Sequence, residues 1–270
     1  MNPVPNTMAD SVPVTSQVKL TRLADILQEI YYQFRRKTFD SPLKNIEYIG
    51  GKMTTFDSVG KDILSIEKLL DLCDGTNDEL TLLARYGCTQ AVALMANMLV
   101  YGLKGIDCQV VAVVVKMKEP HRKFIRIDRH GNQDYDDPNH EFFKINVRDG
   151  ILPRIYALDL SSAQYGYYKP LLLFQDYVDE RVLFLKKEVS LVEVDDNYKR
   201  LVEEDSDQQQ RDRAEDKRVC TNAYFYWIES WEIDAKIDFK DLIGLPEEDF
   251  CEGKKSLFEF LEKNLLGIEF

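Results

Sequence analysis

The run from Gly87 to Val115 constrains the fold of this chain more than any other. Gly87-Cys88 opens Thr89-Gln90-Ala91-Val92-Ala93-Leu94-Met95-Ala96-Asn97-Met98-Leu99, a stretch rich in alanine and other good helix formers. Gly102-Leu103-Lys104-Gly105 follows as a helix end and a tight turn. Cys108-Gln109-Val110-Val111-Ala112-Val113-Val114-Val115 then reads as a buried, β-branched strand. A helix, a glycine turn and a buried strand in immediate succession predict an α+β unit in which the helix lies on a sheet.

The cysteine at the start of this helix carries chemistry. A thiol in the first helical turn faces unpaired N–H groups and the positive end of the macrodipole, and both favour thiolate over thiol. Two further segments read as strands. One holds His140, in Asn139-His140-Glu141-Phe142-Phe143-Lys144-Ile145, and the other holds Asp159, in Tyr156-Ala157-Leu158-Asp159-Leu160. Cysteine at a helix start, then histidine, then aspartate is a chain order that supplies a nucleophile, a base and an orienting group. Each residue alone has a plainer explanation. Free cysteine is among the most buried residue types, and an aspartate at a strand end is commonly a turn residue. The conjunction of the three is what points to catalysis.

From about residue 80 to 170 the chain resembles the core of the transglutaminase-like superfamily. The matching stretches are Gly87-Cys88 through Leu103-Lys104-Gly105-Ile106, then His140-Glu141-Phe142-Phe143, then Leu158-Asp159-Leu160. The resemblance implies an α+β, papain-like core: a helix bearing Cys88 packed on an antiparallel sheet bearing His140 and Asp159. It implies acyl transfer or amide hydrolysis through a thioester, with an acyl or amide substrate and either water or an amine as acceptor. The same core serves arylamine N-acetyltransferases, peptide N-glycanases, bacterial amidases and tissue transglutaminases, so substrate and acceptor stay open. In this reading the loop after Asp159 lines the pocket, and Tyr165, Tyr167 and Tyr168 are its substrate-binding candidates. There are departures. Only Phe142-Phe143 meets the aromatic pattern after the histidine, and Leu160-Ser161-Ser162 follows the aspartate where relatives often turn at a proline. Relatives build the oxyanion hole with an upstream Trp or Gln. Both tryptophans here, Trp227 and Trp231, lie downstream of Cys88, so one donor is the Cys88 N–H and the second has no sequence candidate. The stretch Lys116–Asn139 is long and charge-dense, and reads as a loop or hairpin overhanging the site. Two other function classes compete: a non-catalytic binding or scaffold module on the same fold, and a Cys–His enzyme performing cyclisation, lyase or condensation chemistry on a small metabolite.

Composition sets the outer bounds. A chain of 270 residues, 44% of them apolar, can bury one sizeable core. Residues 1–16 carry prolines and small polar side chains and read as a disordered leader; 17–270 read as one domain with insertions. The net charge of −12 makes nucleic acid and anionic membrane poor partners. The five cysteines (73, 88, 108, 220, 251) lack CxxC spacing, which argues against a disulfide framework or a zinc ribbon, and no loop has calcium-ligand spacing. No cofactor is called for, because thiol chemistry supplies its own activation. With no signal-like stretch or apolar run of membrane length, a cytoplasmic location is expected; oligomeric state is open.

The remaining segments read as scaffold. Leu20–Lys37 has one apolar stripe at helical period, with Arg35-Arg36 in its last turn. Ile46-Glu47-Tyr48-Ile49 precedes a Gly50-Gly51 turn, and Ile63–Cys73 reads as a second amphipathic helix. Val182-Leu183-Phe184-Leu185 and Val189–Val194 read as strand or buried edge. Leu201–Arg218 reads as a solvated helix or a mobile insertion. Ala223–Trp231, dense in aromatics, reads as a strand, and 256–266 as a closing amphipathic helix.

Overall fold

The structure, a computed structural model, describes residues 14–58, 62–122, 124–134, 139–149, 152–204 and 208–265. Helix α1 (Ser16–Lys37) starts where Thr15 Oγ1 accepts from the Val18 N–H at 3.4 Å. Of the leader expected over 1–16, residues 1–13 lie outside the described residues, and Thr15 and Ser16 cap and open this helix. The apolar stripe of α1 from Leu20 to Phe34 is fully buried.

Strands β1 (Leu43–Ile49) and β2 (Lys52–Asp57) form a hairpin closed by Gly50 and Gly51, with φ of 59° and 75°. Two consecutive positive φ values match the strand twist, which is why glycines stand there. Helix α2 (Ile66–Leu70) is shorter than the amphipathic pattern over 63–73 predicts. Ile63 and Leu72 are exposed, at 53% and 40%, and only Leu69 is buried, so packing rewards a single turn. Helix α3 (Thr76–Ala84) leads to α4 (Cys88–Gly102) and then β3 (Cys108–Met117), the helix–turn–strand succession legible in the sequence.

Strands β4 (Phe124–Ile127) and β5 (Gln133–Asp134) come from the charge-dense stretch. They extend the first hairpin into a four-stranded sheet of order β1-β2-β4-β5, in which β2 and β4 are parallel. The second sheet is antiparallel throughout. It is built from β3, β6 (Asn139–Val147), β7 (Arg154–Leu158), β8 (Leu171–Leu173) and, after helix α5 (Phe174–Arg181), β9 (Val182–Val189). Its order is β8-β7-β6-β3-β9.

Alternation along β6 sorts its two faces. Phe143, Ile145 and Val147 join the main core with α1 and α4, while Phe142 packs with Val113, Val115 and Tyr177 on the opposite side. Helices α6 (Leu191–Glu204), α7 (Gln208–Ala235), α8 (Phe239–Leu242) and α9 (Glu247–Leu265) complete the main core. The chain is thus α+β, with a helix-covered antiparallel sheet.

Two readings of the last third are corrected. Leu191–Val194 belongs to helix α6, not to a strand. Ala223–Trp231 lies inside the 28-residue helix α7. Cys220, Tyr224, Trp227, Ile228 and Trp231 recur at three- and four-residue spacing and are buried, while Tyr226 is 66% exposed. The aromatic density suggested strand propensity, but burial follows the helical period.

Candidate active site

Cys88 occupies the first helical position of α4, after Gly87. The turn that presents it is clamped from α1. Tyr31 and Arg35, one turn apart on that helix, both reach it. Tyr31 Oη donates to the Gly87 carbonyl at 3.1 Å. Buried Arg35 donates to the Leu83 carbonyl at 2.7 Å, the Arg85 carbonyl at 3.0 Å and Gln90 Oε1 at 2.6 Å. Arg35 stands in the last turn of α1, as the dipole favours, and its planar fork also bridges the residues either side of the cysteine. Tyr86 takes the left-handed conformation at φ 50°, an uncommon choice for a non-glycine residue. A Cβ at Gly87 would stand 2.1 Å from Tyr31 Oη, so the close approach of α1 requires glycine.

His140 and Asp159 are fully buried. His140 lies in β6, and Asp159 follows the last residue of β7. Their side chains meet: His140 Nε2 lies 2.7 Å from Asp159 Oδ2. Asp159 has further donors. Tyr177 Oη donates to Oδ2 at 2.7 Å, and the Ser161 N–H donates to Oδ1 at 3.2 Å. Burial works to raise the Asp159 carboxyl, but the His140 charge and these hydrogen bonds hold it below the usual carboxylate range. Burial likewise opposes charge on His140. The Asp159 carboxylate and the neighbouring Cys88 sulfur outweigh it and raise His140 to about 10. Both neighbours therefore favour a proton on the ring. Asp159 occupies Nε2, which leaves Nδ1 for the cysteine side.

Cys88 remains partly exposed, and its Sγ lies 3.9 Å from the carbonyl oxygen of Asn139, the residue before the histidine. Cys88 is open to solvent in part, while His140 and Asp159 are sealed in the interior. The structure thus brings together all three residues of the expected constellation.

One more polar group faces the ring. The Gln164 side-chain amide nitrogen lies 3.2 Å from His140 Nδ1. Gln164 sits in a short 3-10 turn, Ser162–Tyr165, fixed by Thr81 Oγ1 donating to the Ala163 carbonyl at 3.0 Å and by the Arg122 N–H donating to the Tyr165 carbonyl at 3.2 Å. Nothing local in the sequence marks Gln164 as a neighbour of the histidine. Its only signal was its place in the loop after Asp159, because the approach to His140 is made by a tertiary turn.

The three tyrosines of that loop separate. Tyr165 is buried and meets His140 edge to face at 4.9 Å. Tyr167 is buried against His121, with ring centroids 4.5 Å apart. Tyr168 is half-buried and accepts from Arg122 Nη1 at 3.0 Å. The charge-dense stretch 116–139 packs residues 121 and 122 on this loop before its hairpin joins the four-stranded sheet; residues 135–138 lie outside the described residues.

Among the described residues, no group of three or more His, Cys, Asp or Glu side chains could hold a metal ion, and no helix is long and apolar enough to cross a membrane. No family model matches the chain, and neither a curated protein nor a solved structure matches it.

Proposed function

We propose that this chain is a cysteine-dependent acyltransferase or amidohydrolase built on a transglutaminase-like core. The observation that carries the reading is the His140–Asp159 pair, held at 2.7 Å in the interior, beneath a partly exposed Cys88 at a helix start.

The chemistry follows from the placement. The Cys88 proton passes to His140 Nδ1, and Asp159 stabilises the resulting imidazolium through Nε2. The thiolate attacks the carbonyl carbon of an acyl donor, and the carbonyl oxygen takes up the negative charge. The Cys88 N–H, at the first helical position, has no intrahelical acceptor and supplies one oxyanion donor. Gln164 supplies the second. Its amide nitrogen rests on Nδ1 when that nitrogen is unprotonated, and a ring that carries a proton on Nδ1 releases it. The imidazolium proton then goes to the leaving amine or alcohol as the C–N or C–O bond breaks, leaving a Cys88 thioester. Water or an amine resolves the thioester, with His140 taking the acceptor's proton. Water gives hydrolysis and an amine gives transfer. Tyr168, the partly exposed tyrosine of the loop, is the substrate-facing member of the aromatic trio.

The experiment is to incubate the protein with p-nitrophenyl acetate, quench in acid and map the acyl adduct by peptide mass spectrometry, then add a primary amine. An acetyl group on Cys88, lost on amine addition with appearance of the acetylated amine, is expected. Release of p-nitrophenol that is identical in Cys88→Ala and the unaltered protein would overturn the reading.

A further inference from the structure

Helix α4 has a second open flank. There it forms, with α6 and α7, a cleft of ≈490 Å3. This size falls within the range of small-molecule sites. Cys88, His140, Asp159 and Gln164 do not line it.

The floor is apolar. Leu94 and Met98 of α4 are buried there, and the rings of Tyr101 and Phe225 meet edge to face at 5.0 Å. Tyr101 is fixed in place by its hydroxyl, which donates to Glu232 Oε2 at 2.6 Å.

The polar lining is cationic. Lys104, Lys199 and Arg218 contribute to it, against the single carboxylate of Asp195. Asp195 is shared, 2.6 Å from Lys199 Nζ and 2.8 Å from Arg218 Nη2. Lys104 has no carboxylate partner among the described residues; its Nζ stands 4.1 Å from the Tyr101 ring centroid. The cleft therefore carries surplus positive charge on a chain whose net charge is −12. A polyanion such as nucleic acid meets repulsion from the whole surface, whereas a small anion is screened from it beyond the cleft.

We propose that this cleft binds a small aromatic anion: a flat ring system bearing one carboxylate, phosphate or sulfonate. The ring packs on the Tyr101–Phe225 edge and the Leu94–Met98 floor. The acid group pairs with Lys104 and with the cationic side of the Lys199–Asp195–Arg218 cluster. The site is independent of the thiol chemistry proposed above.

The test uses 8-anilinonaphthalene-1-sulfonate as the probe and N-phenyl-1-naphthylamine as its neutral counterpart. Each is titrated by fluorescence into the full chain, with circular dichroism as the check of folding. The expected result is saturable binding of the sulfonate, weakened about tenfold, equivalent to 1.4 kcal/mol, by Lys104→Glu. Lys255→Glu on α9, far exposed, should leave binding unchanged, and the neutral dye should be indifferent to both. Lys104→Met, which keeps the apolar stem, replaces the glutamate variant if that one does not fold. Equal sulfonate affinity in the Lys104 variant and the unaltered protein overturns the proposal. So does equal weakening by Lys255→Glu, because the dye then responds to overall charge.

Discussion

The reactive turn depends on side chains that the sequence presents as unremarkable. Gly87 has no Cβ, and the Tyr31 hydroxyl occupies that space, so Gly87→Ala should cost about 1–3 kcal/mol through overpacking. Urea unfolding measures it. Tyr31→Phe added to Gly87→Ala should recover part of the loss, because the clashing oxygen is gone; no recovery would mean that the Ala84 carbonyl, 3.0 Å from the added carbon, is the obstacle. Gln164 makes a sharper prediction. As an oxyanion donor it acts only when a carbonyl becomes tetrahedral. Gln164→Ala should slow acylation of Cys88 by p-nitrophenyl acetate about 10²–10³-fold. It should leave alkylation by iodoacetamide, a displacement without an oxyanion, near its original rate. Equal loss in both reactions would make Gln164 a positioning residue for His140. Cys88, His140 and Asp159 were legible in the sequence because residue type and chain order suffice to nominate them. Gln164 and Arg35 were not, since their roles exist only once the 3-10 turn and α1 are packed against the site.

Among elements, legibility follows the range of the interactions that decide each one. The α4–β3 unit is written locally, in helix formers, a glycine turn and β-branched residues, and the structure keeps it. Helix α7 is not written that way. Its Tyr224-Phe225-Tyr226-Trp227 run has strand propensity, and tertiary burial of Tyr224, Trp227 and Trp231 along one helical face overrides it. That account predicts unequal costs on one element. Trp231→Ala should destabilise by about 3–5 kcal/mol, and Tyr226→Ser, three-fifths exposed or more, by less than about 0.5 kcal/mol. Chemical denaturation of the two variants decides it; similar costs would contradict a single buried helical face. The pairing of β2 with β4 was equally out of reach. It joins segments far apart in the chain, with no local pattern to announce a parallel contact.

At the scale of the molecule, the buried pair ties stability to pH. His140 is raised from 6.5 to about 10 in the folded chain. Its contribution is fully present below pH 6.5 and is lost as pH rises through 10. Asp159 is lowered from its ordinary 3.8, so its contribution is present above pH 3.8 and is lost as pH falls through the depressed value. Thermal unfolding of the unaltered protein and His140→Gln should therefore differ most between about pH 4 and 6.5, less at each step above that, and converge as the solution approaches pH 11. A constant difference across that range would deny that the ring is held charged. The sealed ion pair, the exposed sulfur above it and the clamped turn together make one claim, that Cys88 is a nucleophile tuned by His140. The most direct measurement is iodoacetamide alkylation of the whole chain, followed by peptide mass spectrometry for each of the five cysteines, in the unaltered protein and in His140→Ala. The account predicts that Cys88 reacts fastest and that removing His140 slows Cys88 alone, on the order of a hundredfold. A Cys88 that reacts no faster than exposed Cys251, and at the same rate without His140, would contradict it.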